Sequence, residues 1–419
     1  MAASKVTFPL PDAALPRAQF TGAQTKRMRI VARELVAQTL AQEMRFRYEE
    51  NETLDARAWK FVKSKERMRV HKRVAPPEPD SSDPLLPTVL AVGCLEGRLE
   101  DALYGMHHKT TDEMRTTTAF LNKHHLDAAV LANIDVGTDE DRFRYLGVKW
   151  RVAQTPGGHL IKNRDVSTLE SSGIDVDALG GTYGFHLMKS VDLPDLLPFP
   201  ESVVVRAQVM LCCIYRQITP TLVSVYCKSI FNLSGELLDY MSFLTAADMV
   251  LGISKALECA AAKRLTALAM QKNSPSLLPD PSRLSLASSR DSRATEGSMN
   301  EYLDDTASNA SGSTTTSKGS SREWSSAASS GGSSKDTCSV CTKKKRFFFS
   351  GPPMRTCRIC EKAACPKCYV KAYLLAKPRS RKVVCCKACV VESRELDVDP
   401  RDAYPCLPGP SSHNVASAK

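Results

Sequence analysis

No stretch of the chain reaches the roughly 18 consecutive apolar residues of a membrane-spanning helix, so no helical anchor is expected. Residues 1–19 lack the apolar core of a signal peptide, and the expectation is a cytoplasmic protein. HExxH, GxSxG and Walker A patterns are all missing, which removes the commonest zinc-hydrolase, serine-hydrolase and nucleotide-triphosphatase signatures. There is no internal repeat, so a solenoid or propeller is excluded. Histidine does not occur between His186 and His413. The paired histidines, His107-His108 and His124-His125, stand among helix-forming polar residues, and Asp112 is the one carboxylate close in sequence to His108. That is a thin basis for catalysis, and a non-enzymatic protein is expected.

What is present is a chain of 419 residues, long enough for two or three domains. Its 42% hydrophobic and 25% charged residues are an ordinary globular mixture. The net charge of +11 is not spread evenly. Residues 1–271 hold 33 basic and 32 acidic side chains, residues 272–335 hold 7 of each, and residues 336–392 hold 14 basic and 3 acidic. Nine of the fifteen cysteines fall in that last segment. One small basic module therefore faces an anionic partner, or presents a merely solvated surface.

Met28, Val31, Leu35, Val36, Leu40 and Met44 predict a helix over Gln24–Asn51. Alternation around Trp59, Phe61, Met68 and Val70 predicts a hairpin, and the proline-rich stretch Pro76–Pro87 a loop. Leu99–Met106 and Thr111–Leu121 read as short helices, the second capped by Thr111. Strands are expected at Ala129–Val136, Arg144–Gln154, His159–Leu169, Phe185–Val191, Val203–Ile218 and Leu222–Asn232, with a turn at Pro156-Gly157-Gly158. One long helix, Leu237–Met270, follows, with an almost wholly apolar side of Leu244, Ala247, Leu251, Ser254, Leu257, Ala261 and Leu265. Antiparallel strands closed by one apolar helix give an α+β domain with the helix laid across the sheet. Twenty of residues 272–335 are serine, so this segment is expected to be a disordered linker, able to let the flanking domains swing apart.

The clustered cysteines read Cys338-x2-Cys341, Cys357-x2-Cys360, Cys365-x2-Cys368 and Cys386-x2-Cys389. Each pair sets two thiolates on one side of a tight turn, as tetrahedral zinc requires. Eight such ligands make two closed four-thiolate sites and two structural zinc ions. Cys385 is adjacent to Cys386, which is preferred because it restores the two-residue spacing.

Residues 336–392 resemble a FYVE-type finger, through Cys357-Arg358-Ile359-Cys360, the short gap to Cys365-Pro366-Lys367-Cys368, and Lys382-Val383-Val384 before the last pair. The resemblance implies a cross-brace, with the first and third pairs on one zinc and the second and fourth on the other. It implies docking on anionic, phosphoinositide-bearing membranes, peripherally on endosomes. The positions that carry paired histidines in that family read Met354-Arg355-Thr356-Cys357-Arg358, leaving Arg355 and Arg358 as phosphate ligands. Lys343-Lys344-Lys345-Arg346, followed by Phe347-Phe348-Phe349, matches the membrane-dipping loop. The cations would bind headgroups while Phe348 and Phe349 insert, or a phenylalanine would pack on the zinc knuckles. Nucleic acid is the less expected anionic partner.

Residues 24–270 resemble a START-type lipid-binding domain, through Trp59 in the first hairpin, Asn163-Arg164-Asp165 opening a strand, and the long last helix. This implies a helix-grip fold whose curved antiparallel sheet and helix enclose a hydrophobic lipid, with Arg164 and Asp165 in the tunnel wall. A filled core, with those two residues paired at a strand end, is the other reading. Together the modules suggest a membrane-docked lipid carrier or sensor; the alternative is an adaptor whose finger binds a protein. The last 27 residues, 393–419, are expected to be a disordered tail.

Overall fold

Thr21 opens the first helix, α1 (Gly22–Tyr48), with a reciprocal cap: its side chain accepts from the Gln24 N–H, while the Gln24 side chain accepts from the Thr21 N–H at 2.8 Å. The computed structural model describes residues 6–75, 87–155, 161–193, 199, 203–234, 239–273, 337–344 and 353–408. The linker, the Pro156-Gly157-Gly158 turn and all of the Pro76–Pro87 loop but its last residue lie outside them.

After α1 come β1 (Trp59–Lys65), β2 (Met68–Arg73), β3 (Thr88–Glu96), α2 (Leu99–Met106), α3 (Thr111–Leu121), β4 (His125–Asp135), β5 (Tyr145–Ala153), β6 (Asn163–Val176) and β7 (Thr182–Ser190). Next are β8 (Val204–Arg206), β9 (Gln208–Thr219), β10 (Leu222–Asn232), α4 (Asp239–Leu251) and α5 (Lys255–Asn273). The curved sheet runs β1-β2-β3-β10-β9-β7-β6-β5-β4, antiparallel along this path, with β8 beside β6 in parallel. The fold is α+β, with the C-terminal helices laid over the sheet.

The two faces of the sheet have different covers. On the outer face Ala32 and Val36 of α1 pack on Leu146, Val148, Trp150, Leu169 and Leu187. On the inner face Leu211, Cys213 and Tyr215 of β9 meet α2, α4 and the first half of α5. The period-two alternation of the strands sorts these sets.

Several expectations change. β3 was not foreseen: Val89 to Leu95 is an apolar run without alternation, as befits a strand covered on both faces. The Val203–Ile218 strand is two strands with Ala207 between them. The single C-terminal helix is broken by a tight turn at Gly252–Ser254, where glycine lowers helix stability.

The finger and tail differ most. The finger holds β11 (Arg355–Thr356) on β12 (Ala363–Ala364), β13 (Tyr369–Leu374) on β14 (Arg381–Cys386), and α6 (Lys387–Glu395). It does not stand apart from the larger domain. Leu265, Leu268 and Ala269 of α5 join its buried cysteines in one cluster. Thr266 Oγ1 accepts from the Leu375 N–H at 2.8 Å, and Lys272 meets Glu392 at 2.6 Å. Residues 393–408, expected in a disordered tail, form a strap back across the larger domain. Tyr404 bonds Thr117 at 2.7 Å, Arg401 pairs with Asp139 at 2.7 Å, and Lys109 donates to the carbonyls of Arg401 and Asp402. No helix among the described residues is long and apolar enough to cross a membrane.

Candidate functional site

β5, β6 and β7 turn a row of polar side chains into the interior, opposite the α1 face. Register sets Lys149 across from Thr168, and Glu170 between Gly147 and Met188. Glu170 is 2% exposed and takes two cations, Lys149 at 3.0 Å and Arg151 at 2.5 Å. Lys149 also lies over the Tyr145 ring, 4.2 Å from its centroid, and the Tyr145 hydroxyl donates to Asn133. Around this triad stand polar atoms with no partner: both ring nitrogens of His108 and Nδ1 of His186.

Burial alone would raise Glu170, but Arg151 and Lys149 hold it well below the usual carboxylate range. Burial pushes His186 down to about 4 and His108 well below its ordinary value, so both rings are neutral at pH 7. The triad carries one net positive charge in a low-dielectric interior. An unpartnered buried polar group costs about 1–3 kcal/mol, so this cluster is incomplete by itself.

Of the two residues expected in a tunnel wall, Arg164 shares the strand parity of Glu170 and Asp165 that of Leu169. Asp165 faces the α1 side, where it accepts from Trp150 Nε1 at 2.9 Å and from Arg206 at 2.8 and 2.9 Å. Arg164 donates to the carbonyls of Leu233 and Ser234, tying β6 to the end of β10. Both complete local structure, and they do not pair with each other. Asp112 pairs with Lys377 at 2.8 Å and makes no dyad with His108. A separate groove of about 430 Å³ lies on the other side of the sheet, between α1 and β5–β7, with Arg33, Leu40, Arg144 and Phe185 in its walls.

In the finger the eight cysteines form two quartets: Cys338, Cys341, Cys365 and Cys368; and Cys357, Cys360, Cys386 and Cys389. All sulfurs of a quartet lie within 4.8 Å of one another. A tetrahedron with zinc–sulfur bonds of 2.3 Å has an edge of about 3.8 Å; Cys341–Cys365 is 3.7 Å and Cys360–Cys386 is 3.8 Å. The Cys365 N–H points at Cys338 Sγ and the Cys386 N–H at Cys357 Sγ, at 3.3 and 3.2 Å, as thiolate acceptors need. The donors fit two metal ions. Cys385 is buried but belongs to neither quartet. The cross-brace order is the expected one, first pair with third and second with fourth.

Lys343, Lys344, Arg355 and Arg358 are exposed on the finger, Arg355 lying 5.9 Å from the Tyr369 ring centroid. Lys345, Arg346, Phe347, Phe348 and Phe349 lie outside the described residues.

Comparison with protein-family models and with curated proteins gave no match. Among solved structures, human STARD10 is 16% identical over 58% of this chain and 87% of its own, with a TM-score of 0.36. Human StAR-related lipid transfer protein 5 is 17% identical over 54% and 97%, with a TM-score of 0.35. The lipid transfer and protein localization domain of human StarD13 (DLC2) is 13% identical over 53% and 93%, with a TM-score of 0.34. The fold assigned to this chain rests on its own strand order and helix placement.

Proposed function

We propose that the chain is a non-enzymatic, zinc-binding peripheral membrane protein that binds or transfers a lipid. The observation that carries this is the Lys149–Glu170–Arg151 triad with its unpartnered histidines, set in an otherwise apolar interior. A lipid places its polar group against such a cluster and its tail among the aliphatic residues under α4 and α5. The net positive charge and the neutral imidazoles favour a headgroup that is anionic or accepts hydrogen bonds.

The two quartets take zinc as structural ions. Four thiolates around one ion leave no open position for water, so the metal folds the finger and performs no chemistry on a substrate. The exposed Lys343, Lys344, Arg355 and Arg358 give the finger a cationic face for an anionic, phosphoinositide-bearing membrane, with Lys345, Arg346, Phe348 and Phe349 completing the loop. An endosomal surface suits that chemistry.

A second reading has one observation in its favour. Leu211, Cys213, Phe231, Val250 and Ala256 are all within 3% of full burial in one cluster, as in a filled scaffold. The finger would then serve a protein partner.

Native mass spectrometry of the intact protein separates the two. Two zinc ions plus a co-purified lipid-sized mass are expected. Two zinc ions and no added mass, even after incubation with a lipid mixture, would leave the scaffold reading. For docking, Phe348→Asp with Phe349→Asp should abolish vesicle binding by the finger loop; unchanged binding defeats insertion there.

A further inference from the structure

An even overall charge in residues 1–271 conceals a local excess. Residues 57–73 hold eight lysines and arginines against one glutamate. They are the β1–β2 hairpin and the residues leading into it, and β1 is an edge strand with β2 as its one neighbour in the sheet. On the inner side Lys63, Lys65 and Lys72 are engaged. Lys63 pairs with Asp248 of α4 at 2.5 Å, Lys65 donates to Ser254 at 2.9 Å, and Lys72 lies 5.0 Å from the Phe243 ring centroid.

The outer side differs. Phe61 is 59% exposed, its ring standing edge-on to His71 at 5.8 Å. The register places Phe61 opposite His71, and alternation puts Arg69 on the same face. Arg69 is exposed and has no ion-pair partner among the described residues, whereas Lys60, opposite Lys72, stands on the inner side. Lysines alone would be explained as guards of an edge strand against pairing with another chain. A guard does not explain a large aromatic ring left in water beside them.

We propose that the outer face of the β1–β2 hairpin docks on an anionic membrane, with Phe61 entering the interfacial layer while Arg69 meets lipid headgroups. Charge complementarity selects an anionic surface. The single aromatic selects a bilayer over single-stranded nucleic acid, which needs a series of rings for successive bases. This site is independent of the finger. The strap that follows the finger meets Asp139 and Arg142, in the loop after β4, at the opposite edge of the sheet. α4, which lies over the interior, rests on the inner side of the same hairpin, so docking here brings the lipid-type fold itself to the membrane.

The test uses the full, metal-loaded chain in a background of Lys343→Glu and Lys344→Glu, which weakens the finger's own cationic face. Binding is measured by co-sedimentation with phosphatidylcholine vesicles, with and without phosphatidylserine. Arg69→Ser should lower partition onto the phosphatidylserine vesicles about fivefold. Phe61→Ser should lower it further, and neither substitution should change the thermal midpoint, because both side chains are exposed. A Phe61→Trp variant should be quenched by brominated lipid more than its parent. The proposal is overturned if the background chain does not bind anionic vesicles, if the two substitutions leave binding unchanged, or if they weaken binding to RNA or to an acidic protein but not to vesicles. Retention of the co-purified lipid mass in Phe61→Ser tests the interior reading separately.

Discussion

His186 stands on β7 beside a carboxylate and two cations, and its ring is neutral because burial makes the charged form expensive. An unfolded histidine titrates near 6.5, whereas the folded ring titrates at about 4. The sign follows from linkage. Above pH 6.5 both states are neutral and stability is complete; between 6.5 and 4 the unfolded chain takes up a proton that the folded chain refuses, so stability falls with pH. The shift corresponds to a loss on the order of 3 kcal/mol across that window. Glu170 acts in the same direction at lower pH, since its contribution is lost as pH falls through its depressed value. Urea unfolding at pH 7 and pH 4.5 should show the drop, and His186→Asn should shrink it without removing it, because His125 also titrates at about 4. An equal drop in the variant would mean that His186 is not the group responsible. This triad was not legible in the sequence. Lys149, Arg151 and Glu170 have no local motif, and each faces the interior only because strand parity and the position of α1 decide which face is inside. The cysteine pairs were legible because turn geometry links ligands two residues apart.

The decisive element is α5, buried around almost its whole circumference, with Lys263 and Arg264 inside as well. Lys263 Nζ donates to the Tyr104 and His107 carbonyls, each at 2.7 Å, and so caps the end of α2. Arg264 reaches Asp101 at 2.7 Å and the Leu396 carbonyl of the strap. Small residues let α2 and α5 approach: a Cβ at Gly105 would lie 1.8 Å from the Ala256 carbonyl oxygen. Backbone cannot move aside as a side-chain tip can, so Gly105→Ala should cost about 1–3 kcal/mol in thermal or urea unfolding. A neutral result would show that α2 and α5 have room between them. The sequence gives α5 its apolar and alanine-rich stripe, but not its partners. Ala256 and Ala260 serve the sheet while Leu265, Leu268 and Ala269 serve the finger, and the same periodicity suits a helix with one neighbour or two.

At the scale of the whole molecule, a cysteine-rich module and a helix-grip fold share a core although a serine-rich segment separates them in sequence. With zinc in both quartets, as proposed above, a module this small draws its folding free energy from the metal, on the order of 10 kcal/mol per site. The α5 residues that pack on the cysteine loops then depend on that metal too. Cutting the chain between Asn273 and Thr337 at an introduced protease site should therefore leave two fragments that co-elute, held by Leu265, Leu268, Thr266 and the Lys272–Glu392 pair. Adding a zinc chelator should separate them, and in the uncut chain it should raise hydrogen exchange along α5 and lower the unfolding temperature of the larger domain. Fragments that part while still loaded with metal would show that the interface is too weak to matter, and restore the picture of independently swinging domains that the linker alone suggests. Co-elution that survives complete metal removal would place the binding in the strap, through Tyr404–Thr117 and Arg401–Asp139, and Arg401→Ala would then be the variant that releases it.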